Sequence, residues 1–179
     1  AALRYSSSGS LLTERVYGLG MNFMEPVAAL DSGDGYLLVG RGNLSSIAVL
    51  KTDRNFNLKM NDAGDADILT FKPDGHDFII SAAALANGNV FVGTREKLGN
   101  ESKAAVYMID LNAMTTERVW QSPAAGTSYI NEMTEYDGEI LFTGYELSGN
   151  NGFAYSFRDG ELTEIFRMHP ECFDQEIND

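Results

Sequence analysis

Cysteine, histidine and basic side chains are all scarce in this sequence, and each shortage excludes something. The single cysteine, Cys172, rules out an internal disulfide framework, leaving either a reducing compartment or a secreted chain that needs no bridges. With two histidines and one cysteine, a complete zinc site would need carboxylates or a second subunit, so His169-Pro170-Glu171-Cys172 reads as a buried or dangling thiol. Thirteen Lys and Arg against 26 Asp and Glu give a net charge of −13, a field that repels phosphate backbones and anionic lipid. Nucleic acid is therefore not an expected partner. No apolar run approaches the roughly 18 residues of a membrane-spanning helix, so membrane insertion is not expected either. Phosphate-cradling glycine loops, HExxH and serine-centred elbows are all missing. An opening at Ala1 rather than Met fits a processed chain or a fragment, and an extracellular or periplasmic location is the expectation.

What the sequence does hold is enough apolar matter for a packed core, 44% hydrophobic with 11% aromatic, and an internal repeat. Three segments share a turn dipeptide, an apolar strand and a closing glycine: Asp34-Gly35-Tyr36-Leu37-Leu38-Val39-Gly40, Asn87-Gly88-Asn89-Val90-Phe91-Val92-Gly93 and Asp137-Gly138-Glu139-Ile140-Leu141-Phe142-Thr143-Gly144. Asp-Gly and Asn-Gly suit two-residue type I′ hairpin turns, whose central positions both need positive φ, so each segment is predicted to be the second strand of a hairpin.

The strand after each glycine repeats as well. Ser45 to Asp53 aligns with Ser102 to Asp110 at Ser, Ala, Val and the final Asp, and Gly152-Phe153-Ala154-Tyr155-Ser156-Phe157 takes the same place in the third unit. Fourth strands follow as Thr116-Glu117-Arg118-Val119-Trp120 and Leu162-Thr163-Glu164-Ile165-Phe166, and first strands precede the turns at 27–30, 78–85 and 129–136. At the N-terminus, Ala1-Ala2 and Thr13-Glu14-Arg15-Val16-Tyr17 match Ala104-Ala105 and Thr116-Glu117-Arg118-Val119-Trp120 at one constant offset of 103 residues. The chain thus opens on the third and fourth strands of a unit.

No segment carries a sustained helical period with caps, and four short strands repeated about every 50 residues point to sheets packed side by side. The pattern resembles the repeats of the β-propeller superfamily across nearly the whole chain. It carries none of the marks of a subfamily: the Trp-Asp of WD repeats, the paired glycines of kelch repeats and the Ser-x-Asp-x-Gly box of sialidases are absent. The resemblance implies an all-β fold of four-stranded antiparallel blades, about three and a half of them, starting in mid-blade. Residues 1–17 would be the outer half of one blade, with full blades at 27–72, 77–122 and 128–168, and 169–179 a tail or the start of the next. It also implies that Ala28, Ala29, Ala82, Ala83 and Ala84 line a crowded axis, while Phe91, Tyr107, Trp120, Phe142, Tyr155 and Phe166 wedge between sheets. A ring left open this way is expected to be completed by a second copy or another protein chain.

In such a fold, ligands meet the loops entering the first strand and those joining the second to the third. Those loops carry Glu25, His76, Asp77, Asn131 and Glu132, together with Arg41-Gly42-Asn43, Thr94-Arg95-Glu96-Lys97, Ser128-Tyr129 and Tyr145-Glu146. Clustered near an axis, the first five would make a polar pocket able to hold a cation or do acid/base work; scattered, they are solvated loop residues. The longest departure from the repeat, residues 54–66, leads into Asp62, Asp65 and Asp67, a run that resembles the calcium-binding loops of integrin-type propellers except at Ala63, where an oxygen ligand is expected. The expected function is a scaffold binding a protein or glycan; the alternative is a secreted hydrolase or lyase with an axial acidic and histidine pocket.

Overall fold

The computed structural model describes residues 2–17, 25–42, 46–60, 62, 64, 67–72, 77–149 and 151–168. Strands and turns account for these residues, with no helix among them. The chain divides into two compact units, Ala1–Phe71 and Lys72–Asp179.

In the first unit, β1 (Ala2–Tyr5) and β2 (Leu11–Arg15) form a two-stranded sheet, while β3 (Glu25–Asp31), β4 (Gly35–Gly42), β5 (Ser46–Asp53) and β6 (Ile68–Phe71) form an antiparallel meander. The second unit holds two more meanders, β7 (Phe78–Ala86), β8 (Asn89–Leu98), β9 (Glu101–Asp110) and β10 (Thr115–Gln121), then β11 (Ser128–Tyr136), β12 (Glu139–Glu146), β13 (Asn151–Arg158) and β14 (Glu161–Arg167). In every sheet, spatial order follows chain order. The expected all-β arrangement of four-stranded antiparallel sheets is therefore present, as three meanders and one two-stranded sheet.

Turn chemistry explains most of the hairpins. Asn87-Gly88, Asp137-Gly138 and Asp159-Gly160 all have positive φ at both residues, as a type I′ turn requires. The first unit departs from the prediction. There Gly33, not Asp34-Gly35, carries the positive φ, and the Ser32 N–H closes the turn onto the Gly35 carbonyl at 3.1 Å, so that Gly35 is already in β4.

The closing glycines have a cause that the sequence did not reveal. Each first strand contains a β-bulge at the same place, at Val27, Ser81 and Asn131, and the bulged backbone swings toward the second strand. A Cβ on Gly40 would lie 2.3 Å from the Glu25 carbonyl oxygen, and one on Gly144 would lie 1.9 Å from that of Tyr129. Both face the residue before the bulge. Gly93 faces the residue after it and would strike only the Ile130 side chain, so Thr94, rather than Gly93, is the structural counterpart of the other two.

Register aligns the three meanders row by row: Ala29, Leu38, Leu50 and Ile68 in the first, Ala83, Val92, Tyr107 and Arg118 in the second, Met133, Phe142, Tyr155 and Glu164 in the third. In the second unit Trp120 reaches from β10 onto Phe142, Phe153 and Tyr155 of the following sheet, with ring centroids 5.2 to 5.3 Å apart. Tyr17, its counterpart at the 103-residue offset, packs against the cluster of Leu38, Leu50 and Phe56 and donates its hydroxyl to the Phe56 carbonyl at 2.9 Å. The repeat thus extends to packing between sheets. Two expectations fail in detail. Thr13 pairs with Arg4, whereas Thr116 pairs with Ile109, so the N-terminal hairpin is two residues out of the offset register. Phe166 is half exposed rather than wedged, because β14 ends the series and no described strand follows to cover it.

Candidate functional site

The loop end of the second unit concentrates the chemistry. Two glutamates near the ends of second strands, Glu96 in β8 and Glu146 in β12, are only 1% and 2% exposed. A buried carboxylate survives only with charge or hydrogen-bond partners, and both have several. Glu96 accepts the Tyr107 hydroxyl in a short bond, Gln121 Nε2 at 3.1 Å and Arg118 Nη1 at 3.4 Å. Glu146 accepts Ser122 Oγ at 3.0 Å, from just past the end of β10, and Arg167 Nη1 at 2.8 Å. Arg167 extends the second network, donating to the Tyr155 hydroxyl at 2.6 Å and to Glu164 at 3.0 Å. Tyr155 in turn donates to Glu164 at 2.6 Å.

Ionisation is shifted accordingly. Burial pushes the Tyr107 phenol far above its ordinary range, and its bond to Glu96 pushes the same way. Burial and then the bond to Glu164 raise Tyr155. Burial acts to lower the Arg167 guanidinium, but its bonds to Glu164 and Tyr155 carry it above its ordinary value. These groups tie strands and sheets together.

Beside them lies a polar aromatic ladder. Arg95 sits over the Tyr129 ring with its guanidinium carbon 4.9 Å from the centroid, and Tyr129 stacks on Tyr145, centroids 4.9 Å apart and planes 17° from parallel. Tyr129 and Tyr145 pair across β11 and β12, which fixes the stack, and all three side chains are half-buried.

The residues expected to form a polar pocket each have their own place in the strand plan. Glu25 is exposed on β3, its carboxylate 3.8 Å from Arg41 on the neighbouring strand. Asn131 is the bulge residue of β11 and Glu132 follows it, both exposed. Asp77 is exposed just before β7, its carbonyl accepting the Lys97 N–H at 2.8 Å. His76 lies outside the described residues. Ser128 is fully buried, where its hydroxyl accepts the Ala104 N–H at 2.8 Å and staples the two sheets. Of the calcium candidates, Asp62 is exposed, Asp67 lies 3.2 Å from Lys51 Nζ, and Asp65 falls outside the described residues. Among the described residues no three His, Cys, Asp or Glu side chains come together to hold a metal ion, and no helix is long and apolar enough to cross a membrane. What sequence reasoning missed is the pairing: Arg95, Tyr129 and Tyr145 were each legible as loop-end residues, but only the register makes them one surface. No protein-family model matches this chain, and no curated protein matches it.

Proposed function

We propose that this chain belongs to a β-propeller and serves as a binding scaffold, engaging another protein through the loop end of its blades. The observation that carries the reading is the ladder of Arg95, Tyr129 and Tyr145. Tyrosine and arginine dominate the energetic centres of protein interfaces, because each offers a large rigid contact with a polar tip. Here both are held by register and stacking before any partner arrives, which reduces the ordering cost of association. The buried glutamates support the same reading: Glu96 and Glu146 are committed to tying strands and sheets together. A glycan is the alternative ligand for such a surface.

The test is binding by the purified chain to candidate partner proteins and, in parallel, to a glycan array. Tyr145→Ala or Arg95→Ala is expected to weaken a protein complex by about 2 kcal/mol, roughly thirtyfold, while Tyr136→Ala at the opposite end leaves it unchanged. Equal binding by all three variants would place the contact surface elsewhere, and glycan binding alone would replace the protein partner. Native mass in solution tests the ring. A particle above the formula mass of 19.6 kDa is expected if a second copy or another chain supplies the missing blades.

A further inference from the structure

The two sheets of the second unit meet through a local backbone feature that recurs. In β10 a bulge at Val119 sets Trp120 opposite Val106, and the indole is buried at 6% exposure against Phe142, Phe153 and Tyr155 of the following sheet. β14 repeats the arrangement. Its bulge lies at Ile165, and Phe166 follows opposite Ala154. Ala154 pairs with Thr143 as Val106 pairs with Gly93, and these lie just before the matched residues Gly144 and Thr94, so Phe166 holds the place of Trp120. Yet Phe166 is 48% exposed, and Thr163, two pairs along on the same face, is exposed as well. It is a wedge whose receiving face is not supplied by its own sheet. A large ring left in water forgoes the burial that Trp120 gains.

A face suited to receive it lies bare in the first unit. There Arg4 Nη1 donates to the Arg54 carbonyl at 2.9 Å and Arg15 Nε to Asn57 Oδ1 at 3.2 Å, so one face of the β1–β2 sheet looks onto the first meander. Successive side chains of a strand point to opposite faces, which puts Leu3 and Tyr5 on the other side, with Leu11 paired to Tyr5. All three are about half exposed. Phe153 and Tyr155, which receive Trp120, are likewise alternate apolar residues of one strand. A two-stranded sheet with a bare apolar face is marginal by itself and gains most from being covered.

We propose that a second copy of this chain joins these two faces head to tail. Phe166 of each copy enters the face of Leu3, Tyr5 and Leu11 on the other, continuing between copies the packing that Trp120 makes within one. Such a contact is heterologous, and made twice it closes a pair. Four sheets in each chain give eight in the pair, within the range of roughly four to eight that propeller rings hold. The proposal rests on the propeller reading above and selects a second copy, rather than an unrelated chain, as what completes the ring.

Native mass of the purified full chain across a dilution series tests it. The parent is expected at twice the formula mass of 19.6 kDa, and Phe166→Arg and Tyr5→Glu each at once that mass, with cooperative melts retained because both positions are exposed. Mixing the two variants restores one unaltered contact and sets the introduced Arg against the introduced Glu at the other, so the paired mass is expected to return. Should either variant not fold, Thr163→Arg or Leu11→Glu on the same face takes its place. A parent that stays at single mass at every concentration, variants that still pair, or a mixture that stays single would each overturn the proposal. So would a monomeric parent that both variants destabilise, since the two faces would then be covered within one chain. Failure of the pair and failure of the Arg95 ladder are read apart, because the first changes the mass of the chain alone and the second only its binding to a partner.

Discussion

The two units use one strand plan and fill it with opposite chemistry. Where the second unit crosses its sheets with Val92, Tyr107 and Arg118, or Phe142, Tyr155 and Glu164, the first unit has Leu38, Leu50 and Ile68. The first unit therefore closes this row with hydrocarbon alone and places its polar ties outside, in exposed turns: Asp31 to Arg54 and Gly33, Asp34 to Lys59, Asp53 to Asn57. The second unit brings its ties inside, around Glu96 and Glu146. A repeat fold fixes backbone register and leaves each sheet free to choose apolar or ionic filling. Apolar filling is the simpler source of stability, whereas a satisfied polar network holds one particular arrangement of strands.

The largest expected difference lies in the aromatic wedge. Trp120→Ala removes the ring against which three other aromatic side chains pack and leaves a cavity between sheets, an expected loss of about 3–5 kcal/mol in denaturant unfolding of the full chain. Leu69, which faces Val49 as Trp120 faces Val106, is only half-buried, and Leu69→Ala is expected to cost well under half as much. Equal losses would mean that the wedge contributes no more than a generic apolar residue.

How much of this was legible in the sequence follows from which features are local. The strands, three of the four Asx-Gly turns and the two-stranded hairpin at the start are set by residues adjacent in the chain, and all were readable. Asp34-Gly35 misled because the same dipeptide can sit inside a four-residue loop when a second glycine, Gly33, precedes it. Glu96, Tyr107, Arg118 and Gln121 come from three strands, and their joining depends on cross-strand register to within one residue. The bulges that set this register at Val27, Ser81 and Asn131 share no residue type. The candidate site suffers most from this, since Arg95 and Tyr129 meet across two sheets.

The closing glycines sharpen the comparison at a smaller scale. Alanine at Gly144 would collide with the Tyr129 carbonyl at 1.9 Å and the Phe153 ring at 2.5 Å; at Gly40 it would meet the Glu25 carbonyl at 2.3 Å; at Gly93 it would meet only the Ile130 Cγ2 at 2.9 Å. Backbone yields less readily than the end of a side chain. Stability losses are expected to fall in the order Gly144→Ala, Gly40→Ala, Gly93→Ala, within a range of about 1–3 kcal/mol. Gly93→Ala costing as much as Gly144→Ala would show that the bulge is not what demands glycine.

The smallest effects are those of pH, and they take opposite directions in the two chemistries. In the first unit, the Gly33 N–H and then Arg54 hold Asp31 below the ordinary carboxyl value of 3.8; Lys59 does the same for Asp34, and Asn57 for Asp53. A depressed value in the folded state means stability present above that ordinary value and lost as pH falls through the folded one. All three groups are exposed, so the response is local. In the second unit, burial raises Tyr107 and Tyr155 above the ordinary 10.0, which gives stability that is full below pH 10.0 and is lost as pH rises through their folded values. Tyr17 adds an alkaline response to the first unit, again through burial. Amide hydrogen exchange corrected for its intrinsic pH dependence separates these contributions. Acid is expected to release the Gly33, Asn55 and Asn57 amides that bond to Asp31 and Asp53, and alkali the strands around Tyr107. Asp53→Asn should flatten the acid response at Asn55 and Asn57, and Tyr107→Phe the alkaline response of β8 to β10 without touching the acid one. If Tyr107→Phe leaves the alkaline response of the second unit intact, the buried network around Glu96 is not what sets its upper pH limit.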